Sequence, residues 1–396
     1  MRLRAAGAPH LTYCTNIHRG ESWAEVRANL ARYTTAVKAE VAPDVPFGVG
    51  LRLSARAAEE LAAPAALDEL RAFLAAEGLY VFTINGFPHG TFHGTAVKEQ
   101  AYLPDWLDER RLAYTDQLAT LLATLLPDGV EGSVSTVPGA FKPRVRSYAD
   151  AALMADRMLR HAATLHAIHE RTGGTITLAL EPEPCCHLET VAETVAFFET
   201  HLFSAAATTR VAALTGLADA AAADLVRRHL TVCLDACHMA VEFEEVGAAL
   251  GALAHAGIRI GKIQVSAGLD VALTAATRAA LAPFAEGVYL HQVVERGARG
   301  LARWVDLPDA LAAAGESTRE WRIHFHVPLF REQLGPFRNT QPWLRELLDV
   351  VRTTPVSPHL EVETYTWDVL PPEFRQEPIV TAIARELRWV RERLES

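Results

Sequence analysis

Three strings in this sequence place acidic and imidazole side chains directly after apolar runs. Leu178-Ala179-Leu180 leads into Glu181-Pro182-Glu183, and Val232-Cys233-Leu234 into Asp235-Ala236-Cys237-His238. His359-Leu360 leads into Glu361-Val362-Glu363-Thr364-Tyr365. A carboxylate at the end of a buried run needs a partner, because an isolated buried charge costs several kcal/mol or is neutralised. A divalent metal ion or a network of substrate hydroxyls supplies one. The plainer reading of Glu181 is a capping or salt-bridging glutamate, and that of Asp235 is a helix N-cap with His238 packed behind it. Asp235 and His238, three residues apart where a strand turns into a helix, can aim both heads at one point. A hard carboxylate with an imidazole suits Zn, Mn, Fe or Co better than Ca. Strand alternation sends Glu361 and Glu363 to the same side. Glu363 lies nearer the C-terminal end and is the better placed, which leaves Glu361 a supporting or ion-paired role.

Further candidates are weaker. Lys262-Ile263-Gln264-Val265-Ser266 puts Gln264, and with it Lys262, at the equivalent place on another strand, although glutamine serves equally as a plain hydrogen-bonding residue. His324-Phe325-His326 offers two imidazoles on one strand face, with His326 the candidate ligand. Tyr13, Asn16, Asn85 and Phe87 stand near other strand ends and could shape a sugar pocket. His18, His89 and His93 read as structural residues on flanking loops. Cys185 and Cys186 read as loop fillers, Cys233 and Cys237 as small core residues. Glutamates, an Asp–His pair and a neutral or imidazole ligand converging on one divalent ion would polarise a carbonyl or a pair of hydroxyls. Carboxylates on opposite sides of the substrate could then move a proton off one face of a carbon and onto another. That is the chemistry of aldose–ketose isomerisation and of epimerisation beside a carbonyl.

Such convergence requires strands whose ends meet. Near-continuous apolar runs at 10–16, 48–54, 79–85, 132–137, 175–180, 231–234, 259–266, 322–327 and 359–364 predict strands covered on both faces. Helical spacing fills 23–39 (with Ser22 as N-cap), 55–77, 108–126, 149–171, 190–202, 306–314, 340–352 and 379–394. This βα alternation predicts parallel strands and crossover helices. Its repetition favours an α/β fold with a single closed (β/α)8 TIM barrel spanning 1–396 over an open doubly wound sheet, and neither GxGxxG nor a P-loop follows any strand. Nine candidates compete for eight wall positions. The surplus is expected in an insertion at about 270–320, where 289–294 and 300–305 could form a hairpin. An Ala-rich insertion at about 204–230 reads as extra helix.

The chain has 396 residues, and 38 Lys+Arg against 48 Asp+Glu give a net charge of −10. Hydrophobic residues make up 50% and charged residues 22%, a globular composition. The acidic balance argues against nucleic acid and against anionic membranes as partners. No apolar stretch approaches the roughly 18 residues of a membrane span, and no signal peptide is read at the start. Five cysteines without CxxC spacing point to a reducing cytoplasm. A homodimer is the base-rate expectation for a soluble enzyme.

The string Val232-Cys233-Leu234-Asp235-Ala236-Cys237-His238-Met239 resembles the "LDxxHM" strand end of the xylose isomerase-like TIM-barrel superfamily, and Leu180-Glu181-Pro182 is similar to its "LEP" strand. Within that superfamily, several strings resemble the metabolite traffic proteins (EboE) encoded in ebo-type gene clusters. They are 10–18 with Glu21-Ser22-Trp23, Asn85-Gly86-Phe87-Pro88, 262–266, 324–328 and 360–367. The resemblance covers nearly the whole chain. It implies a sugar or cyclitol isomerase- or epimerase-like barrel, with or without a phosphate on the substrate, serving the making or export of a metabolite. Carried over, Glu181, Asp235 and Glu363 would ligate a divalent Mn, Zn, Co or Mg ion, and the two glutamates would double as acid and base. His238 would hold substrate or a second metal. The superfamily usually has histidine where Gln264 stands, so the fourth ligand is either Gln264 or His326. A metabolite-binding barrel without turnover and an endonuclease IV-like phosphoesterase are the alternatives.

Overall fold

In the computed structural model, which describes residues 1–94, 96–314 and 319–396, the long apolar runs are strands with no exposed face. Every residue of β2 (Phe47–Arg52), β4 (Gly132–Thr136), β5 (Ile176–Leu180), β6 (Leu230–Asp235) and β7 (Ile260–Val265) is buried. So is every residue of β14 (His359–Val362). Helices cover one side of these strands and the barrel interior the other. With β1 (His10–Tyr13) and β3 (Leu79–Asn85) they form one parallel eight-stranded sheet in the order β1-β14-β7-β6-β5-β4-β3-β2. The sheet curls until β1 meets β2, where a single backbone bridge, Cys14 to Gly50, links the two. Threonine side chains stitch the rest of this seam. Thr12 Oγ1 donates to Gly48 O (2.7 Å) and accepts from Gly50 N (3.1 Å), and Thr15 Oγ1 accepts from Arg52 N (2.9 Å). The expected (β/α)8 barrel is thus present, and its wall uses eight of the nine predicted strands.

The ninth, 322–327, is not a barrel strand. An insertion between β7 and β14 forms a second, antiparallel sheet in the order β10-β9-β11-β8-β13-β12. Its strands are β8 (Leu269–Leu273), β9 (Val293–Gly297), β10 (Gly300–Trp304), β11 (Arg319–Ile323), β12 (Gln333–Leu334) and β13 (Phe337–Asn339). β11 lies between β8 and β9 and stops before His324. The expected hairpin is β9 and β10, but the insertion is larger than anticipated, and residues 315–318 within it lie outside the described residues. The Ala-rich segment forms two helices, Ala205–Thr215 and Asp219–His229, parted at a left-handed Gly216. The predicted helix 55–77 is two helices, Ala55–Leu61 and Pro64–Glu77, because proline is tolerated at a helix start but not in its interior. Ser22 caps its helix as expected, in a capping box with Glu25. Among the described residues, no helix is long and apolar enough to cross a membrane.

Barrel interiors fill in layers. Near the strand starts, the rings of His10, Phe82 and His359 pack on one another, and His359 Nδ1 meets Ser133 Oγ at 2.9 Å. Further along, Lys262 of β7 and Glu361 of β14 form a fully buried ion pair at 2.6 Å. Gly50 makes room for it, since a Cβ there would fall inside the Glu361 carboxylate. The layer beyond opens at the C-terminal ends of the strands.

Candidate metal centre and cavity

Glu181 follows β5, Asp235 ends β6, Gln264 lies on β7 and Glu363 follows β14. Backbone bonds extend the ladder past the strand ends, Glu181 N to Thr136 O (3.1 Å) and Glu363 N to Val265 O (3.2 Å), and so fix both glutamates at the mouth. One carboxylate oxygen each from Glu181, Asp235 and Glu363 lies within 4.8 Å of the other two, and all three residues are buried. The three acids inferred from separate strings therefore converge. Their hydrogen bonds are unequal. Glu363 Oε1 accepts from the amides of Asn16 (2.8 Å) and Asn85 (3.0 Å). Asp235 Oδ1 accepts from Ser266 Oγ (2.7 Å) and His238 N (3.0 Å). Glu181 Oε2, Asp235 Oδ2 and both amide atoms of Gln264 are buried without a partner. Burial, followed by the charges of Glu363 and Asp235, drives the Glu181 carboxyl well above the ordinary range. Burial drives Glu363 the same way, with the charges of Asp235 and Glu361 behind it and Lys262 opposing. Two such carboxyls must take up protons or share a cation. The unpartnered oxygens of Glu181 and Asp235 fit the second course, and the adjacent Gln264 amide fits it as a further oxygen donor.

Beside the acids stand three imidazoles. His238 Nδ1 donates to Pro182 O (2.9 Å), His324 Nδ1 to Gln292 Oε1 (2.7 Å) and His326 Nδ1 to Glu363 O (2.8 Å). His238 Nε2 is 3.1 Å from His324 Nε2, which is 3.3 Å from His326 Nε2. Asp235 Oδ2 is 3.8 Å from Nε2 of both His238 and His326. Burial pushes the His326 ring down to about 4 and His324 well below its ordinary value. Glu183 joins this side, accepting from Tyr102 Oη (2.7 Å) and Gln292 Nε2 (3.3 Å). Of the sequence candidates, His238 and His326 are therefore in place. They differ from expectation in origin, because His324 and His326 follow a strand of the inserted sheet and not a barrel strand.

A cavity opens over both groups. Its lower wall includes Asn16, Asn85, Glu181, Glu183, His238, His324 and Glu363. Its upper wall is aromatic: Phe92, Tyr289 and Tyr365 pack with ring centroids 5.1–5.4 Å apart. These come from the loop after β3, the insertion and the segment after β14. Val97 N and Lys98 N both donate to Val288 O and tie loop to insertion. The sequence held no periodic signal for Phe92, Tyr102, Tyr289 or Gln292, since loop residues obey none. Asn16, Asn85 and Phe87 line the cavity as expected. Tyr13 does not: its hydroxyl is bonded to His18 (3.1 Å) and Thr34 (2.9 Å) behind the wall. Lys262 and Glu361 form their ion pair one layer down. Cys185 and Cys186 are buried in the loop after β5, and Cys233 and Cys237 are buried as expected of core residues, Cys237 in an apolar cluster with Val241 and Val294 and with its sulfur within 4.8 Å of ring nitrogens of His324 and His326.

No family model matches the chain, and no curated protein matches it. Among solved structures, a xylose isomerase-like TIM barrel protein from Mycobacterium smegmatis, in complex with magnesium, is similar with a TM-score of 0.52 at 12% identity, over 99% of each chain. The probable 3-DHS dehydratase AsbF from Bacillus anthracis aligns over 96% of this chain and 97% of its own, at 12% identity and a TM-score of 0.46. The IolI protein with a bound zinc atom aligns over 96% of each chain, at 13% identity and a TM-score of 0.42. At these identities the likeness is one of fold, and the fold is that of xylose isomerase-like TIM barrels.

Proposed function

We propose that this protein is a divalent-metal-dependent isomerase or epimerase acting on an uncharged sugar or cyclitol. The observation that carries the proposal is the trio Glu181, Asp235 and Glu363, buried within 4.8 Å of one another with Glu181 Oε2 and Asp235 Oδ2 unpartnered. With the amide oxygen of Gln264 they make a hard donor set suited to Mn or Mg, and the Mycobacterium smegmatis neighbour was crystallised with magnesium. Such an ion, when bound, polarises a carbonyl or adjacent hydroxyls. The chain's own residues do the rest. Glu363 is held by Asn16 and Asn85 through one oxygen, which orients the other. Glu181, with Oε2 given to the ion, would take a proton from a carbon beside a carbonyl through its other oxygen, and a protonated Glu363 would donate its own proton from another wall, both exchanging with solvent between turnovers. His238, also lining the cavity, is placed to hold a substrate hydroxyl. The aromatic roof packs on a sugar ring and excludes water.

The cavity also speaks to the substrate's charge. Among the described residues, its only lining cation is Lys98, whose ammonium donates to Glu286 O (3.1 Å), Tyr289 O (2.7 Å) and Asp306 Oδ2 (2.7 Å). All three of its protons are used, so no free lysine or arginine in the lining is left for a phosphate, and this favours an unphosphorylated substrate. The net charge of −10 and the roofed cavity weigh against a phosphoesterase acting on DNA. The finer likeness to ebo-cluster proteins rests on sequence strings and would place the product in the making or export of a cyclitol-linked metabolite. Gln264, standing where an imidazole is usual, favours the second reading, a binding barrel without turnover.

Incubating the Mn-loaded protein in deuterated water with a panel of neutral aldoses, ketoses and keto-cyclitols tests the reading. Deuterium is expected at the carbon beside the carbonyl of the true substrate, and Glu181→Gln should abolish its uptake. A protein that binds manganese and a sugar but exchanges no carbon-bound hydrogen with any of them would overturn the catalytic reading in favour of the binding barrel.

A further inference from the structure

The cavity is roofed too tightly for a sugar to enter. Phe92 and Tyr289 are only 6% and 5% exposed, and a water-sized sphere can occupy about 60 Å³ of the space below them. That is room for a few waters, whereas small-molecule pockets usually run to about 300–1,000 Å³. Some part of the roof must therefore move. The loop after β3 is fixed to the barrel near both of its ends. The buried Arg111 guanidinium donates to Gly86 O (2.7 Å), Phe87 O (3.1 Å) and Pro104 O (2.7 Å). Arg52 donates to Gly90 O (2.7 Å), and Phe92 N to Glu21 Oε1 (2.9 Å). The facing turn of the insertion is braced within itself, because the Glu286 carboxylate accepts from Tyr289 N (3.0 Å) and lies 2.8 Å from His291 Nε2.

Segment 97–102, between the anchors of the β3 loop, is held across a joint with that turn. Val97 N and Lys98 N donate to Val288 O at 2.9 and 3.0 Å. The Lys98 ammonium adds Glu286 O (3.1 Å), Tyr289 O (2.7 Å) and Asp306 Oδ2 (2.7 Å). Lys98 thus carries most of the joint, and it does so at φ +40°, a left-handed backbone that residues with a Cβ rarely adopt. Closure holds this strain, and release relieves it. Release also strands no deeply buried charge. The Lys98 side chain is 30% exposed, so water can take over its ammonium, and Asp306 Oδ1 keeps its bonds from His291 N and Leu307 N, both 3.0 Å.

We propose that segment 97–102 is a gate over the cavity, latched by Lys98 onto the insertion, and that a sugar or cyclitol enters when the latch lets go. Val97 packs with Phe92 and Tyr289 beneath the joint, so lifting the segment parts the aromatic roof. The carboxylates and imidazoles stand on other segments and keep their places. The gate deepens the reading above and rests on it for the ligand, a neutral sugar or cyclitol.

Hydrogen exchange on the whole chain tests the gate without any substrate. In the wild type, amides at 97–102 are expected to exchange about tenfold or more faster than those of β3, the mark of a local opening. Lys98→Met, which removes the ammonium and leaves the backbone, should speed them about tenfold further and leave β3 and β4 unchanged. Wild-type amides at 97–102 as slow as those of β3, which needs no variant to fold, would overturn the gate. So would a variant in which they do not speed up, or in which β3 and β4 speed up equally. Val97→Cys with Val288→Cys, at residues joined by a backbone bond, should close the joint with a disulfide. Oxidised, it is expected to label the sugar substrate in deuterated water far more slowly than after reduction with dithiothreitol, and equal rates would overturn entry at this joint. A protein that opens at 97–102 but labels no sugar would support the gate and count against the isomerase reading alone.

Discussion

Replacing Lys262 by methionine isolates a single charge in the middle of the barrel. Lys262 and Glu361 are both fully buried and 2.6 Å apart. Burial is the largest single influence on the Lys262 ammonium and would depress it, but the Glu361 carboxylate, with Cys233 and Cys14 behind it, makes the net shift upward. Removing one partner of a buried pair strands the other, a loss of about 3–5 kcal/mol. Against a typical total stability of about 5–15 kcal/mol, that is a large share. The double variant Lys262→Met with Glu361→Met removes both charges and keeps the volume, and such replacements are neutral or stabilising by about 1–4 kcal/mol. Guanidinium unfolding followed by tryptophan fluorescence, with Trp106 and Trp321 as buried reporters, measures both. The single variant should lose several kcal/mol and the double should recover nearly all of it. A single variant within about 1 kcal/mol of wild type, or a double no better than the single, would refute the view that these two residues exist for each other.

Gly50→Ala should destabilise by about 1–3 kcal/mol or more, as overpacking does, because the new Cβ would overlap the Glu361 carboxylate and stand 2.6 Å from Tyr13 O; thermal denaturation checks it, and an unchanged midpoint would contradict the crowding. Glu386 is fully buried, accepts from Leu329 N (3.1 Å) and Thr364 Oγ1 (2.9 Å), and is raised by burial from 4.5 to about 7. A folded-state value above the unfolded one means that its contribution is fully present below about 4.5 and lost as pH rises through about 7, a swing of about 3 kcal/mol. Wild-type stability should therefore fall across that window by more than Glu386→Gln does, and equal slopes would show that the group titrates normally.

The acidic half of the mouth was legible because strand chemistry is local. A barrel strand such as β5 or β6 is largely apolar up to its end, so the first acidic residue there marks the mouth, as Glu181 and Asp235 do; β14 already carries Glu361, and Glu363 stands out by its place nearer the C-terminal end. Alternation also gave depth. Glu361 precedes Glu363 by two residues and Lys262 precedes Gln264 by two, so each pair shares a face with its first member one layer deeper. That is why Lys262 and Glu361 meet in the interior, as the ion-pair reading of Glu361 allowed. Partner identity is not local, and there the reading failed. The apolar string 322–327 has the composition of a barrel strand, yet β11 pairs antiparallel with β8 and β9 and ends at Ile323. Nothing in side-chain period distinguishes the two ladders.

That failure bears on the chemistry, because the misread segment is the one that brings imidazoles to the mouth. Had His324 and His326 stood on a barrel strand, alternation would have put them on one face with one a layer below the other, and only one could have reached the opening. Released from the sheet after Ile323, the backbone sets both rings side by side, with Nε2 atoms 3.3 Å apart. His324 N is bonded to Gln292 O (2.9 Å) of the insertion, and His326 Nδ1 to the barrel at Glu363 O (2.8 Å). The short segment between them thus bridges the inserted sheet and the barrel. The insertion also supplies Gln292, which sets the His324 tautomer, and Tyr289 of the cavity roof. The oxygen donors are therefore the barrel's own, and two of the three imidazoles come from an addition to it, so changes in the insertion should alter the nitrogen side of the mouth while leaving the carboxylates in place.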